Sequence, residues 1–441
     1  MRERIIQSLG LVAALTALAF VTAGSTLADS GHGFGFGRAT YVSNTSGGGV
    51  PDASDFPGAG FSAGPGFDWG PGPQPQFGGQ GCANPSYTTI GAAVSAASAG
   101  DTIVVCPGVY KEDVVVSTPL TLVGIGNPII DAAGLNNGVQ VTASGSTIEG
   151  LTVGYATGEG ILVGELPGSA GAGTVSNVTI TGNTVIGNDQ GNPTGASIST
   201  STYAECNAAN NTPGDCGEGI HLLSADNSTV SDNSISANSG GILLTDENGP
   251  TDGNQISGND VSSNAYDCGI TIAGHHIGTN VKGVFSPVLP TVGGVYNNTI
   301  RDNESVNNGV LGQGGGVLLA TGTPGGAVYN NTVEGNTLSG NGLAGVTVHA
   351  HSPGENLNGN VIRDNTIGVN NLDGDDDFAQ TDDSTTGVIV ATAVSPISIT
   401  IVGNRMENDT NGIWLTPNVT ATTTPPPNLF VAVTNPIVTA P

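Results

Sequence analysis

Short runs in which aliphatic and polar residues alternate recur along most of the chain, separated by Gly, Asn, Asp and Ser. Most take the form Gly-aliphatic-x-aliphatic: Gly160-Ile161-Leu162-Val163, Gly219-Ile220-His221-Leu222, Gly241-Ile242-Leu243-Leu244, Gly269-Ile270-Thr271-Ile272, Gly316-Val317-Leu318-Leu319, Gly345-Val346-Thr347-Val348, Gly387-Val388-Ile389-Val390 and Gly412-Ile413-Trp414-Leu415. A period of two sends alternate side chains to opposite faces of a strand, so the aliphatics share one face and x takes the other. Asparagines pair five residues apart between these runs, as in Asn183/Asn188, Asn233/Asn238, Asn259/Asn264, Asn303/Asn308, Asn336/Asn341 and Asn365/Asn370, with Asn404/Asn408 slightly shortened. Self-similarity at such spacing marks a solenoid. The pattern predicts an all-β stack of about ten coils, each with three short parallel strands, spaced ~4.8 Å around columns of Val, Ile and Leu. The paired Asn fall at the corners, where a left-handed backbone costs them little and their amides bond from coil to coil.

A stack of this kind needs a cap at its open end. Ile90, Ala93, Val94 and Ala97 have helical spacing just before a first strand at Ile103 to Val105, so an N-terminal capping helix is expected. Before it, residues 29–80 are Gly/Pro-rich and carry no period, which predicts a flexible linker. Residues 1–28 have a basic start, an apolar run from Leu9 to Val21 and a small-residue end at Thr26-Leu27-Ala28, the pattern of a secretory signal peptide. That run is too short for a membrane span, so a secreted, extracellular chain is expected. The solenoid is assigned to 81–416 and a Thr/Pro-rich tail to 417–441, with Leu429 to Val433 as a stray strand or part of the tail.

The segment from Tyr87 through Tyr110 to Ile129-Ile130-Asp131 is similar to the opening of the pectin-lyase-like superfamily, and the later coils resemble its parallel β-helix repeats. The resemblance runs over roughly 85–416 and implies a single-stranded right-handed parallel β-helix. It implies no one activity, because that superfamily includes lyases, hydrolases, esterases, epimerases and noncatalytic surface proteins. Gly274-His275-His276 is the nearest approach to a polygalacturonase Gly-His-Gly element, and the Arg-x-Lys element is missing. The Gln-Asp, Trp-x-Asp-His and Asp-Pro-His elements of the esterases, pectate lyases and epimerases are missing as well, so no mechanism carries over residue by residue.

Charge narrows the partners. Eight Lys+Arg against thirty-six Asp+Glu give a net charge of -28, which argues against nucleic acid and anionic membrane and, without bound divalent cations, against acidic polysaccharide. In an oxidising compartment Cys82 with Cys106 and Cys206 with Cys216 are candidate disulfides, leaving Cys268 as a buried small residue.

Candidate chemistry lies in what the repeat does not use. His221 and His349 occupy outward positions of the Gly-aliphatic-x-aliphatic strands and are expected to face solvent, and Asp246, Glu247, His275, His276, Lys282 and His351 lie in the turns after them. Asp246, Glu247, His275 and His349 are the candidate acid/base residues. His221, His276, Lys282, His351 and Trp414 are candidate substrate contacts. Asp373, Asp375 and Asp377 offer hard oxygen ligands for calcium, although Phe378 and Ser384 break the EF-hand pattern. The expected function is a monomeric secreted protein that binds an extracellular polysaccharide along this face. Cleavage by a lyase or glycoside hydrolase mechanism is left open, and the alternative is a noncatalytic cell-surface or matrix protein.

Overall fold

A computed structural model describes residues 39–44, 81–166, 173–188, 217–275, 293–312, 314–372 and 384–440, together with Ser169. Within them the chain winds into an all-β parallel solenoid. Three long sheets of twelve, eleven and eleven strands run along it, and a fourth, of five short strands, is inserted as a narrow facet. Every pairing between the named strands is parallel. In a typical coil Gly240–Thr245 belongs to the Gly-aliphatic sheet, Thr251–Asp252 to the facet, and Gln255–Ser257 and Asp260–Ser262 to the other two sheets. The facet was not foreseen, since its two-residue strands are too short to show a period.

The inward columns are as continuous as the pattern requires. Ile148, Ile180, Val230, Ile256, Ile300, Val333, Ile362 and Ile401 stack in register, each at 0% exposure. Burying one such side chain contributes about 1.5–3 kcal/mol, and no break in the column interrupts that gain.

The corners differ from expectation in one respect. The ladder asparagines are themselves buried, and it is the residue before each that takes the left-handed conformation: Asp232 before Asn233, Gly258 before Asn259, Asp302 before Asn303. Turning the chain at that preceding residue leaves the Asn amide pointing along the solenoid axis. Asn259 Nδ2 donates to Asn303 Oδ1 at 2.9 Å and to the Val230 carbonyl at 3.0 Å, and the Asn259 backbone N–H also donates to Asn303 Oδ1 at 3.0 Å. A third ladder, Ser228, Asn254, Asn298, Asn331 and Asn360, runs parallel to the two expected. At the shortened pair, Asn408 supplies the left-handed residue and Asp409 the ladder oxygen, which restores the spacing.

The ends also depart from the expected boundaries. The expected signal peptide lies outside the described residues, as does the expected linker apart from Ala39–Asn44, but Ala39–Val42 is a strand paired with Thr102–Val105, so part of that segment joins the solenoid. The helix Ile90–Ser95 packs Ile90, Ala93 and Val94 into the core beside it, and Glu112 accepts from the Ile90 and Gly91 N–H groups at its start. Cys82 and Cys106 form the expected disulfide, whereas Cys206 and Cys216 fall outside the described residues. Past residue 416 the chain adds another coil, Val419–Thr422, Leu429–Val431 and Asn435–Thr439. In earlier coils the repeat glycine donates its N–H forward, Gly241 to the Cys268 carbonyl and Gly316 to the Ala344 carbonyl. The corresponding position in this last coil is Pro436, which has no N–H to give. No helix among the described residues is long and apolar enough to cross a membrane.

Candidate functional site

The repeat glycine shapes the outward face. A Cβ on Gly219 would meet Ile235 Cγ2 at 2.4 Å, so the glycine and the aliphatic after it both turn toward the interior. The residue before the glycine is thereby returned to the outward side. Glu159 and Glu218 hold this position, and Glu159 Oε1 comes to 3.7 Å from His221 Nδ1 one coil away. Both carboxylates escaped the sequence reading; the signal was their place immediately before Gly in Glu-Gly-Ile-x-aliphatic.

His221 and His349 do point outward but do not face solvent, since both are nearly closed off, at 1% and 3% exposure. The strand period gives the direction of a side chain and says nothing of what packs over it. His221 Nε2 lies 2.8 Å from Thr245 Oγ1, and that hydroxyl also hydrogen-bonds Glu247. Glu247 Oε1 in turn lies 2.6 Å from His275 Nδ1. A continuous polar line therefore crosses four successive coils: Glu159, His221, Thr245, Glu247, His275.

The line ends at its one half-open pair, with the His275 and Glu247 side chains 11% and 20% exposed. Burial alone would raise the Glu247 carboxyl, but the His275 charge and the hydrogen bond between them outweigh it and hold Glu247 down at about 2. Nearby, burial pushes Asp267 up to about 6, against the pull of the Cys268 backbone N–H and of the His275 charge. Two carboxyls that both feel the His275 charge are thus held far apart in acidity, the arrangement that divides acid from base in many sites.

Asp246, expected as an acid/base candidate, does different work. It is fully buried, and its two oxygens accept from the backbone N–H groups of His275, at 2.7 Å, and Gly294. It fixes the turn that carries His275. Trp414, expected as a sugar platform, is 3% exposed and packs with Ala344, Ile389 and Ala391. His349 and His351 form an edge-on pair with centroids 5.5 Å apart, two coils beyond the His275 strand. His276, Lys282, Asp373, Asp375 and Asp377 lie outside the described residues. Among the described residues no group of three or more His, Cys, Asp or Glu could hold a metal ion.

Glu355 follows the His349 strand and is 5% exposed. Burial pushes its carboxyl up to about 8, although backbone groups of Ser352 and His351 hydrogen-bond to it. The folded state resists its ionisation, whereas the unfolded chain ionises near 4.5. Its contribution to stability is therefore full below about 4.5 and is lost as pH rises through about 8. Glu355→Gln is expected to leave the melting temperature unchanged near pH ~5 and to raise it above pH ~8, as read by thermal scans across that range.

Residues 125–286 match the family described as right handed beta helix region. No curated protein matches the chain. Among solved structures, the mannuronan C-5 epimerase AlgE4 A-module of Azotobacter vinelandii aligns over 79% of this chain and 92% of its own at 16% identity and a TM-score of 0.47. Alginate lyase from Paenibacillus sp. str. FPU-7 aligns over 75% and 95% at 14% identity and TM-score 0.47, and GH136 lacto-N-biosidase from Eubacterium ramulus over 91% and 68% at 11% and 0.44. With its parallel coils, its capping helix and this match, the chain is a right-handed parallel β-helix protein, the fold that its resemblance to the pectin-lyase-like superfamily implies.

Proposed function

We propose that this protein binds and hydrolyses an uncharged extracellular glycan on the outward side of its Gly-aliphatic sheet. The observation that carries the reading is the Glu247–His275 contact of 2.6 Å, with Glu247 held at about 2 and Asp267, which feels the same His275 charge, at about 6. Glu247 stays ionised at every physiological pH and serves as base or nucleophile. Asp267 keeps its proton in mildly acidic solution and serves as the acid, and His275 orients Glu247. An acidic glycan would meet a chain of net charge -28, which favours the uncharged substrate. An extracellular setting suits the Cys82–Cys106 disulfide.

A noncatalytic surface role is the second reading, favoured by the near-complete closure of His221 and His349. A degradation screen of the full chain separates the two. Neutral β-glucan, xylan, galactomannan and fructan, with alginate and pectate as acidic controls, are incubated with the protein from about pH 4 to 8 with and without calcium, and products are read by mass spectrometry. Oligosaccharides from a neutral polymer support hydrolysis; unsaturated products from alginate or pectate alone overturn it in favour of a lyase; no product from any polymer leaves the noncatalytic reading standing.

A further inference from the structure

The narrow facet presents one outward residue per coil, in register: Ser176, Asp226, Asp252, Tyr296 and Tyr329. Their inward neighbours Val175, Ala225, Thr251, Val295 and Val328 are buried, while the row itself is half-exposed. The Tyr296 and Tyr329 rings stack with centroids 4.8 Å apart and planes 20° from parallel. They lie over Gly294, where a Cβ would come within 3.4 Å of Tyr296 and 3.6 Å of Tyr329. The same glycine donates its N–H to Asp246, the residue before Glu247, so the row runs directly beside the candidate site. At the other end of the row, Asp226 hydrogen-bonds Asp252. Burial first, then that bond and the Asp252 charge, bring Asp226 up to about 7, so near neutrality the pair holds a proton and offers both donor and acceptor. Burial, and then the Asp252 charge, raise both tyrosines, which keeps their hydroxyls as phenols.

We infer that Asp226, Asp252, Tyr296 and Tyr329 form a saccharide-binding strip that holds an uncharged glycan alongside the Glu247–His275 pair, an inference that rests on the glycan-acting reading above. Aromatic edges and faces meet the C–H surface of sugar rings, while phenols and a half-protonated carboxyl pair bind hydroxyls. The four residues span three coil steps, roughly 14 Å at ~4.8 Å each, so the strip takes several sugar rings and supplies affinity and register, not bond cleavage. With Trp414 packed away, the stacked tyrosines offer an aromatic surface among the described residues near the pair. A uronate polymer would set its carboxylates against Asp226 and Asp252, which confines the strip to neutral chains.

The test uses the full chain carrying Glu247→Gln, so that it binds without cleaving, in affinity electrophoresis through gels containing β-glucan, xylan, galactomannan, fructan or alginate. At least one neutral polymer is expected to retard it and alginate not to. Adding Tyr296→Ala with Tyr329→Ala is expected to weaken the retardation about tenfold or more, and Tyr296→Phe with Tyr329→Phe much less. Asp226→Asn with Asp252→Asn, nearly isosteric, is expected to weaken it too and carries the test if the alanine pair melts early. Retardation equal to the parent's in folded tyrosine and aspartate variants overturns the strip and leaves the Glu247–His275 reading intact. Absence of retardation of the parent by every neutral polymer overturns the strip, and joined to an empty degradation screen it overturns the glycan reading as well.

Discussion

Asn303→Ala is expected to destabilise the solenoid by about 3–6 kcal/mol, among the largest single-residue effects available outside the apolar columns. The side-chain oxygen of Asn303 accepts from the backbone N–H and the Nδ2 of Asn259, at 3.0 and 2.9 Å. Its own Nδ2 donates to the Ile256 carbonyl at 2.9 Å and to Asn336 Oδ1 at 3.0 Å. Truncation takes a bond from each of these four groups, and the buried Asn259 N–H and Ile256 carbonyl lose the side-chain partner named here, at a desolvation cost of about 1–3 kcal/mol each. Asn303→Asp is expected to cost at least as much, because it sets carboxylate oxygens against the Ile256 carbonyl and Asn336 Oδ1. Asn358→Ala, on the exposed rim, is expected to cost about 1 kcal/mol or less. Urea unfolding followed by circular dichroism compares the three. Equal midpoints for Asn303→Ala and Asn358→Ala would mean that the ladder contributes nothing beyond its shape.

The second large effect is expected on catalysis. On the glycan cleaved in the screen, Glu247→Gln is expected to lower kcat/KM by about 10²–10⁴-fold, the range for removing a positioned general acid or base. His275→Ala is expected to lose as much, because without the imidazolium Glu247 rises from about 2 toward the ordinary carboxylate range and loses its anchor. The pH profile separates the roles. Glu247 is ionised throughout, so the activity of the parent should fall as pH rises through about 6, where Asp267 gives up its proton. Asp267→Asn should remove that limb along with most of the rate. A falling limb that survives in Asp267→Asn with most of the rate intact would transfer the acid to another group. Melting temperatures of all three variants are the control, since Glu247 contributes stability above about 4.5 that is lost toward about 2.

The periodic part of this fold was legible because it is periodic. Alternation set which aliphatics face inward, and each of Ile220, Leu222, Ile242 and Leu244 does so. Two Asn ladders were visible as pairs; the third was present as a triplet, Asn254/Asn259/Asn264 or Asn298/Asn303/Asn308, that a search for pairs stops short of. The site was legible only in part. Glu247 and His275 were placed together because both follow a strand at the same point of adjacent coils, which the register fixes. Glu159 and Glu218 were missed because a strict period of two does not allow for the bend at the repeat glycine, and that bend alone brings the preceding residue outward; Asp267, two residues before Gly269, lies where the sequence carries no period at all. The exposure of His221, His349 and Trp414 was misjudged for a different reason. Direction is a local property of a strand, whereas exposure depends on chain remote in sequence.

Pro436 alters the edge that the last described coil presents. A parallel β-helix grows by one rule, each rung joined to the next by N–H groups that donate forward and by carbonyls that accept from the rung that follows. In polymer terms this rung is a faulty link: at one position the donor is already consumed in a ring. An incoming coil, from this molecule or another, would find the apolar column of Ile413 and Ile437 continuous but the hydrogen-bond template interrupted at the position where earlier rungs are joined.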